Sequence, residues 1–256
     1  MCRWLLVCFY TKSYVNVQFK LVERSGKMKV LFEDNHLIAV CKTSSEIVQG
    51  DKTGDEPLSE LIKSYLKLKY NKPGDVFLGV THRLDRPVSG VVLFARTSKA
   101  LSRLNELFRT RQVEKTYWAI VKNMPSATEA RLVHHIVRNE KQNKSFAYDK
   151  PVGDSKEAAL SYRLIAHSDH YKLLEVQLET GRHHQIRCQL AKIGCPIKGD
   201  LKYGSDRSNP NGGISLHARK IEFVHPVTKE LVSIVAPVPD DDPLWKTMDQ
   251  LATQLI

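Results

Sequence analysis

The stretch His82-Arg83-Leu84-Asp85-Arg86-Pro87-Val88-Ser89-Gly90 carries the clearest chemical potential in the chain. A carboxylate at Asp85, flanked by Arg83 and Arg86, is expected to stay ionised because neighbouring positive charge favours the charged form. Pro87 and Gly90 restrict the loop and so fix where Asp85 points. An ionised, rigidly held aspartate on a basic loop suits nucleophilic attack better than proton donation. A structural Arg–Asp ion pair at a strand end would read the same way. The order His-Arg-Leu-Asp departs from the kinase catalytic loop, where aspartate directly follows arginine. The downstream asparagine and upstream glycine-rich loop of that motif are missing too.

Two other stretches hold candidate groups. In Glu114–Val121, alternation puts Tyr117, Ala119 and Val121 on one strand face and Thr116, Trp118 and Ile120 on the other. Tyr117 reads most simply as a core aromatic; stacking on a nucleobase or handling a proton are alternatives that spacing does not separate. The third stretch is Thr180-Gly181-Arg182-His183-His184-Gln185-Ile186-Arg187, continuing through Gly194-Cys195-Pro196 to Gly199-Asp200 and Tyr203-Gly204. A helix starting near Arg182 would offer free N–H groups to an anion, reinforced by arginine. Arg187 then lies one turn from His183 and His184 but about 140° around from Arg182, so the two arginines should serve different partners. His184 and Cys188 have the i, i+4 spacing of a metal pair, but no third ligand stands nearby and no metal is expected.

Between these stretches, Arg96, Lys99, Arg103, Arg109, Arg111, Lys115 and Lys122 outnumber Glu106 and Glu114, with Phe108, Tyr117 and Trp118 interleaved. Such a stripe fits a surface that tracks phosphates and stacks bases. It equally fits a solvated helix face.

Positioning these groups requires a regular scaffold, and one begins at Met28. Lys29–Phe32 and His36–Lys42 are apolar runs around Glu33-Asp34-Asn35, a hairpin signature. Leu58, Leu61, Ile62, Tyr65 and Leu66 recur at helical spacing. Val76–Val80 and Gly90–Ala95 read as strands bracketing the Asp85 loop. Ser98 is placed to cap a helix with Leu101, Leu104, Leu107 and Phe108 on its apolar face. Ala158–Ala166 and Tyr171–Glu179 read as antiparallel strands, and a helix from about Arg182 to Ile193 ends at Gly194. Leu216–Val224 and Leu231–Ala236 form a hairpin, with a closing helix in the tail after Asp240. Asn139–Gly153 and Gly204–Gly213 read as polar loops. Hairpins outnumber crossovers, so the expected class is α+β with a mixed, mainly antiparallel sheet.

Bulk properties agree. The 256 residues hold 39 Lys+Arg and 28 Asp+Glu, a formal charge of 39 − 28 = +11, and the pI of 9.4 favours a polyanionic partner. An apolar fraction of 42% is that of a globular protein, which excludes wholesale disorder and a polytopic membrane chain. Cys2, Cys8, Cys41, Cys188 and Cys195 form no C-x-x-C, which argues against a disulfide framework or zinc ribbon and for a reducing, cytoplasmic setting. Residues 1–27 contain the apolar run Trp4–Tyr10, too short to span a membrane. They read as an N-terminal extension, or as upstream of a true start at Met28, leaving 28–256 as a single bilobed domain.

Together, His82-Arg83-Leu84-Asp85 with Ser89-Gly90, Lys115-Thr116-Tyr117, and Gly181-Arg182-x-His184-Gln185-Ile186-Arg187 with Gly199-Asp200 and Tyr203-Gly204 resemble the RluA-type pseudouridine synthases. The resemblance extends from Met28 to Pro237. It implies a mixed, mainly antiparallel eight-stranded sheet in two halves with flanking helices and a central cleft. The implied reaction, isomerisation of a uridine in ribosomal or transfer RNA, uses no cofactor or metal. Asp85 would take the place of the nucleophile, Tyr117 of the tyrosine packing on the target base, and Arg187 of the basic residue paired with the aspartate. Arg83, Arg86, Arg111, Lys115, Arg182, His184 and Gln185 would face the RNA, and the enzyme would act as a monomer. Pro87-Val88 departs from the commoner x-Thr before Ser-Gly, and Arg187-Cys188-Gln189 from Arg-x-His. Two other readings compete: a non-catalytic RNA-binding or ribosome-assembly protein on the same fold, and a metal-dependent hydrolase using His82, His183 and His184.

Overall fold

The computed structural model describes residues 28–51 and 54–254. The reading of residues 1–27 lies outside the described residues. A hairpin of β1 (Lys29–Glu33) and β2 (Leu37–Lys42) opens the fold, its turn fixed by Asp34 Oδ1, which accepts the His36 and Leu37 amides. Helix α1 (Leu58–Lys69) buries Leu58, Ile62 and Leu66 as one stripe. The two-residue β3 (Gly79–Val80) precedes β4 (Ser89–Ala95), which is buried along its whole length. In α2 (Ser98–Arg109) the cap is Thr97 rather than the expected Ser98, its Oγ1 accepting the Ala100 amide. Five strands follow: β5 (Glu114–Val121), β6 (Glu129–Asn139), β7 (Lys144–Tyr148), β8 (Lys156–His167) and β9 (Lys172–Leu178). Helix α3 (Gln185–Lys192), the β10 (Leu216–Val224) and β11 (Leu231–Val235) hairpin, and α4 (Pro243–Gln254) complete the chain.

All the described strands join one sheet in the order β1-β2-β4-β10-β5-β9-β8-β6-β7, with β3 on β4 and β11 on β10. The pairing of β10 with β4, His217 opposite Ser89 and Ala218 opposite Gly90, is parallel; the other described pairs are antiparallel. Strand β10 is therefore the seam between a half built on β1, β2 and β4 and a half built on β5 to β9. Gly90 makes the seam possible. Its φ of 120° belongs to glycine, and a Cβ there would sit 2.5 Å from the Ala218 nitrogen. Beside it, Ser89 Oγ meets His217 Nδ1 at 2.9 Å inside the core.

The alternation of β5 appears as two cores. Tyr117, Ala119 and Val121 belong to the main core, with Ile62, Leu104 and Ile186. Trp118 and Ile120 pack in the other, beneath Trp245 and Met248 of α4.

Among the described residues the sheet has eleven strands, where the resemblance implied eight. The additions include the two-residue β3 and the edge strand β7, which lies inside the segment read as a polar loop, Asn139–Gly153. Strand β6 also escaped the sequence reading. It is half exposed, so its pattern does not alternate cleanly between apolar and polar, and a tight turn with Asn143 at φ 46° joins it to β7.

Candidate active site

Asp85 lies in the turn leading into β4, closed by the Val88 amide donating to the Asp85 carbonyl at 3.0 Å. The Lys42 ammonium at the end of β2 clamps this turn from beneath. Lys42 is fully buried, and its Nζ donates to the carbonyls of Thr43 (2.9 Å), Arg86 (2.9 Å) and Val88 (2.6 Å). Three acceptors match the three donors of the ammonium. Burial nevertheless pushes its pKa down to about 7. A second tie comes from the segment just before β10, where the Ile214 amide donates to the Pro87 carbonyl at 3.0 Å.

Arg187 meets Asp85 from α3. Its Nη1 stands 3.4 Å from Asp85 Oδ2, while Nε and Nη2 donate to the two carboxylate oxygens of Asp200 at 2.7 and 2.8 Å. Burial opposes the charge on Arg187, but the Asp200 bonds outweigh it and hold the guanidinium protonated above its ordinary range. Asp200 is itself only 1% exposed, so this is a buried, bidentate pair. Asp85 keeps about a third of its side chain open.

Asp85 and Arg187 open onto a cleft of about 400 Å³, whose wall includes Tyr117, Lys115, Arg83, Arg138 and Arg182. Burial, and secondarily the charge of Asp85, raises the Tyr117 pKa above its ordinary value, so the group is a phenol at neutral pH. Burial lowers that of Lys115. A trough of about 700 Å³ adjoins the cleft, sharing Lys115, Leu178, Gly181 and Arg182 with it and adding Phe108, Arg109 and Arg111. Arg111 has a left-handed φ of 59° just past α2, where a chain commonly leaves a helix.

The structure thus gathers Asp85, Tyr117, Arg187, Arg83, Lys115, Arg182, His184 and Gln185 around one cleft, with Arg111 in the adjoining trough. Arg86 turns aside to Asp55 at 2.6 Å and Asp51 at 3.5 Å. Gln185 touches the cleft but is engaged internally: Oε1 accepts from Thr180 Oγ1 and the Arg182 amide, and Nε2 donates to the Ala159 carbonyl. The helix starts at Gln185, not near Arg182. Gln185 takes the Arg182 amide at 2.9 Å and His184 adopts a left-handed φ of 52°, so the N–H needed for the expected anion site is used within the turn. His184 and Cys188 do not pair as metal ligands: the ring faces Tyr203 and Arg187, and the thiol donates to the Gln185 carbonyl. Among the described residues, no group of three or more His, Cys, Asp or Glu is placed to hold a metal.

The basic stripe is dispersed. Arg96 pairs with Glu33 on the far side of β4, Arg103 with the Pro226 carbonyl and Lys122 with Asp206. Trp118 points away from the cleft, under the guanidinium of Arg219 at 4.4 Å. A strand sends neighbours to opposite faces, so a stripe counted along the sequence was bound to split. Sequence reading missed Lys42 and Arg138. A lysine ending a continuous apolar run, Leu37–Cys41, was the available signal for the first. Arg138 lay on the unrecognised β6.

A family model described as RNA pseudouridylate synthase matches residues 36–192. The chain is 33% identical over 239 residues to ribosomal large subunit pseudouridine synthase D of Xylella fastidiosa, covering 88% of this chain and 70% of the relative. It is 29% identical over 224 residues to an uncharacterized RNA pseudouridine synthase of Bacillus subtilis, covering 86% and 72%. Among solved structures, the fold matches human RNA Pseudouridylate Synthase Domain Containing 4 with a TM-score of 0.72 at 24% identity, covering 86% of this chain and 92% of that one. Human RNA Pseudouridylate Synthase Domain Containing 1 matches with a TM-score of 0.65 at 20% identity, covering 92% and 97%.

Proposed function

The chain belongs to the RNA pseudouridine synthases, and on that premise we propose that it isomerises a uridine flipped out of ribosomal or transfer RNA, with Asp85 as the nucleophile. The N1–C1′ bond breaks and the base rejoins the sugar through C5. The observation that carries the assignment is the Asp85 carboxylate, part-open at a cleft and faced at 3.4 Å by a buried guanidinium. A pre-aimed, charged nucleophile gains from orientation before the substrate arrives.

The reacting carbon is out of reach in stacked RNA, so the nucleotide must leave the stack at a cost of a few kcal/mol. Phosphate contacts from Arg111, Lys115, Arg182 and Arg83, which line the trough and cleft, offset that cost. Tyr117, a phenol held protonated by burial, suits packing against the extruded base better than abstracting a proton. The relatives named as ribosomal large subunit pseudouridine synthases favour ribosomal RNA as the substrate. The three described cysteines are free thiols, in keeping with a reducing compartment, and the proposal takes the enzyme as a cytoplasmic monomer. No helix among the described residues is long and apolar enough to cross a membrane.

Asp85→Asn tests the assignment, since it preserves shape and removes the nucleophile. RNA affinity should stay within about twofold while pseudouridine formation is abolished; product from the variant refutes the role. Pseudouridine maps of RNA from cells with and without this chain identify the substrate. An unchanged map would favour the non-catalytic RNA-binding alternative.

A further inference from the structure

We infer that His184 and Tyr203 are positioning residues that aim the Arg187 guanidinium at Asp85, and that neither ring serves as an RNA contact. The inference rests on the reading of Asp85 as nucleophile and adds to it the device that orients its partner.

The His184 backbone is the first observation. Its φ of 52° and ψ of 26° lie in the left-handed region, which a side chain disfavours. Such a conformation persists where the surroundings over-determine it, and it gathers at functional sites. Here it turns the imidazole inward, leaving the residue 8% exposed.

The second observation is the bonding of the two ring nitrogens. Nε2 lies 2.9 Å from Arg187 Nη1 and 3.3 Å from Asp85 Oδ2, and Nδ1 lies 2.9 Å from the Tyr203 hydroxyl. A guanidinium only donates, so Nε2 must accept. The ring is neutral, because burial, and then the Arg187 charge, lower its pKa far below that of an ordinary histidine. The proton therefore sits on Nδ1 and is donated to Tyr203. The Tyr203 oxygen also accepts the Ser145 amide at 2.8 Å, so both of its lone pairs are used.

Arg187 is thereby fixed from three sides. Asp200 takes Nε and Nη2, the Tyr203 ring lies 5.0 Å from the guanidinium carbon, and His184 takes one hydrogen of Nη1. The second hydrogen of Nη1 is left for Asp85 Oδ2. Behind His184, the His183 ring stacks at 3.8 Å and is itself bonded to Ser145 Oγ and Asn143 Oδ1. With both nitrogens of His184 occupied and its ring enclosed, the residue has no free group for RNA.

The test uses Tyr203→Phe, which removes one oxygen and keeps the ring over Arg187, and His184→Asn, which tolerates the left-handed backbone but cannot reach Arg187. Single-turnover pseudouridine formation at saturating RNA should fall at least 10-fold in both, with the RNA Kd within twofold of wild type. An undiminished rate in Tyr203→Phe overturns the inference even if His184→Asn fails to fold. A raised Kd with the saturated rate preserved overturns it in favour of an RNA contact. Histidine ¹⁵N NMR of the wild type supplies a readout independent of turnover: His184 should be neutral with its proton on Nδ1, and a proton on Nε2 overturns the inference. Absence of product from the wild type on every RNA would instead refute the proposed function, while leaving the NMR result readable.

Discussion

Replacing Lys42 with methionine separates what the buried ammonium does for stability from what it does for the site. Removing the donor strands three carbonyls. The Val88 bond is wholly buried and the other two are partly so, and at about 1–3 kcal/mol per unsatisfied group the loss is about 3–9 kcal/mol. Opposing this, methionine removes a charge held in a dry place. The fall of the Lys42 pKa from 10.5 to about 7 corresponds to about 5 kcal/mol at 1.36 kcal/mol per pH unit. The two largely offset, so Lys42→Met should unfold within about 4 kcal/mol of wild type at neutral pH. Catalysis has no such compensation. The Asp85–Val88 turn loses its floor, and a displacement of about 1 Å can cost about 10²-fold in rate, so single-turnover pseudouridine formation should fall about 10- to 100-fold. The pH dependence has a defined sign. Between about 7 and 10.5 the unfolded chain holds a proton that native Lys42 has released, so wild-type stability rises with pH across that window and the variant lacks the rise. Urea melts of both proteins from pH 6 to 10, beside single-turnover rates, make the measurement. A rate within twofold of wild type would refute the clamp, and a loss beyond about 5 kcal/mol would refute the cancellation.

Three other outcomes follow from the geometry. Gly90→Ala should destabilise by about 2–6 kcal/mol, combining a strained φ with overpacking against the Ala218 backbone, and chemical denaturation reads it. Asp200→Asn leaves the buried Arg187 with only the part-exposed Asp85 as counter-charge and should cost about 3–5 kcal/mol, with a reduced rate at saturating RNA; unchanged melting would show that the pair is not structural. Arg111→Ala and Arg182→Ala should each weaken RNA binding and flatten the slope of log affinity against log salt by about 0.7–0.9. Slopes equal to wild type would move the RNA off the trough.

The local chemistry was legible where a segment forms its own structure. The hairpin at Asp34, the α1 stripe and the two faces of β5 follow from residues a few positions apart. Asp85 stood out because loop chemistry is also local. What sequence could not supply was the destination of each charge. Arg96 and Lys115 belong to one basic run, yet Arg96 is held by Glu33 and Lys115 borders the cleft. Arg96 leaves the end of β4 toward β1, whereas Lys115 lies on β5, two strands further across the sheet in the other direction. Gln185 and His184 read as polar groups facing RNA, but both are buried, because backbone groups of the β8–β9 ladder end and the Tyr203 turn need their nitrogens and oxygens. Lys42 was hidden for the converse reason: a lysine is expected at the surface, and its three acceptors include two carbonyls more than forty positions along the chain.

The sheet register explains why these distant pieces keep a fixed spacing. Lys42 of β2 pairs with Gly90 of β4, Gly90 with Ala218 of β10, and Ala218 with Tyr117 of β5. One row across four strands therefore runs from the clamp under the Asp85 turn to the aromatic wall of the cleft. Neighbouring strands lie about 4.8 Å apart, so the row spans about 14 Å. Its two middle positions are the smallest residues, glycine and alanine, and at Gly90 a Cβ would meet the Ala218 backbone. A larger residue at Gly90 would force the seam apart. The turn bearing Asp85 is tied to this row through Lys42 and Ser89, and Tyr117 belongs to it outright. Arg187 stands outside the row on α3, so its aim cannot come from the sheet. That difference accounts for the separate apparatus of Asp200, His184 and Tyr203 around it: Asp85 is located by backbone register, and its partner by side-chain bonds.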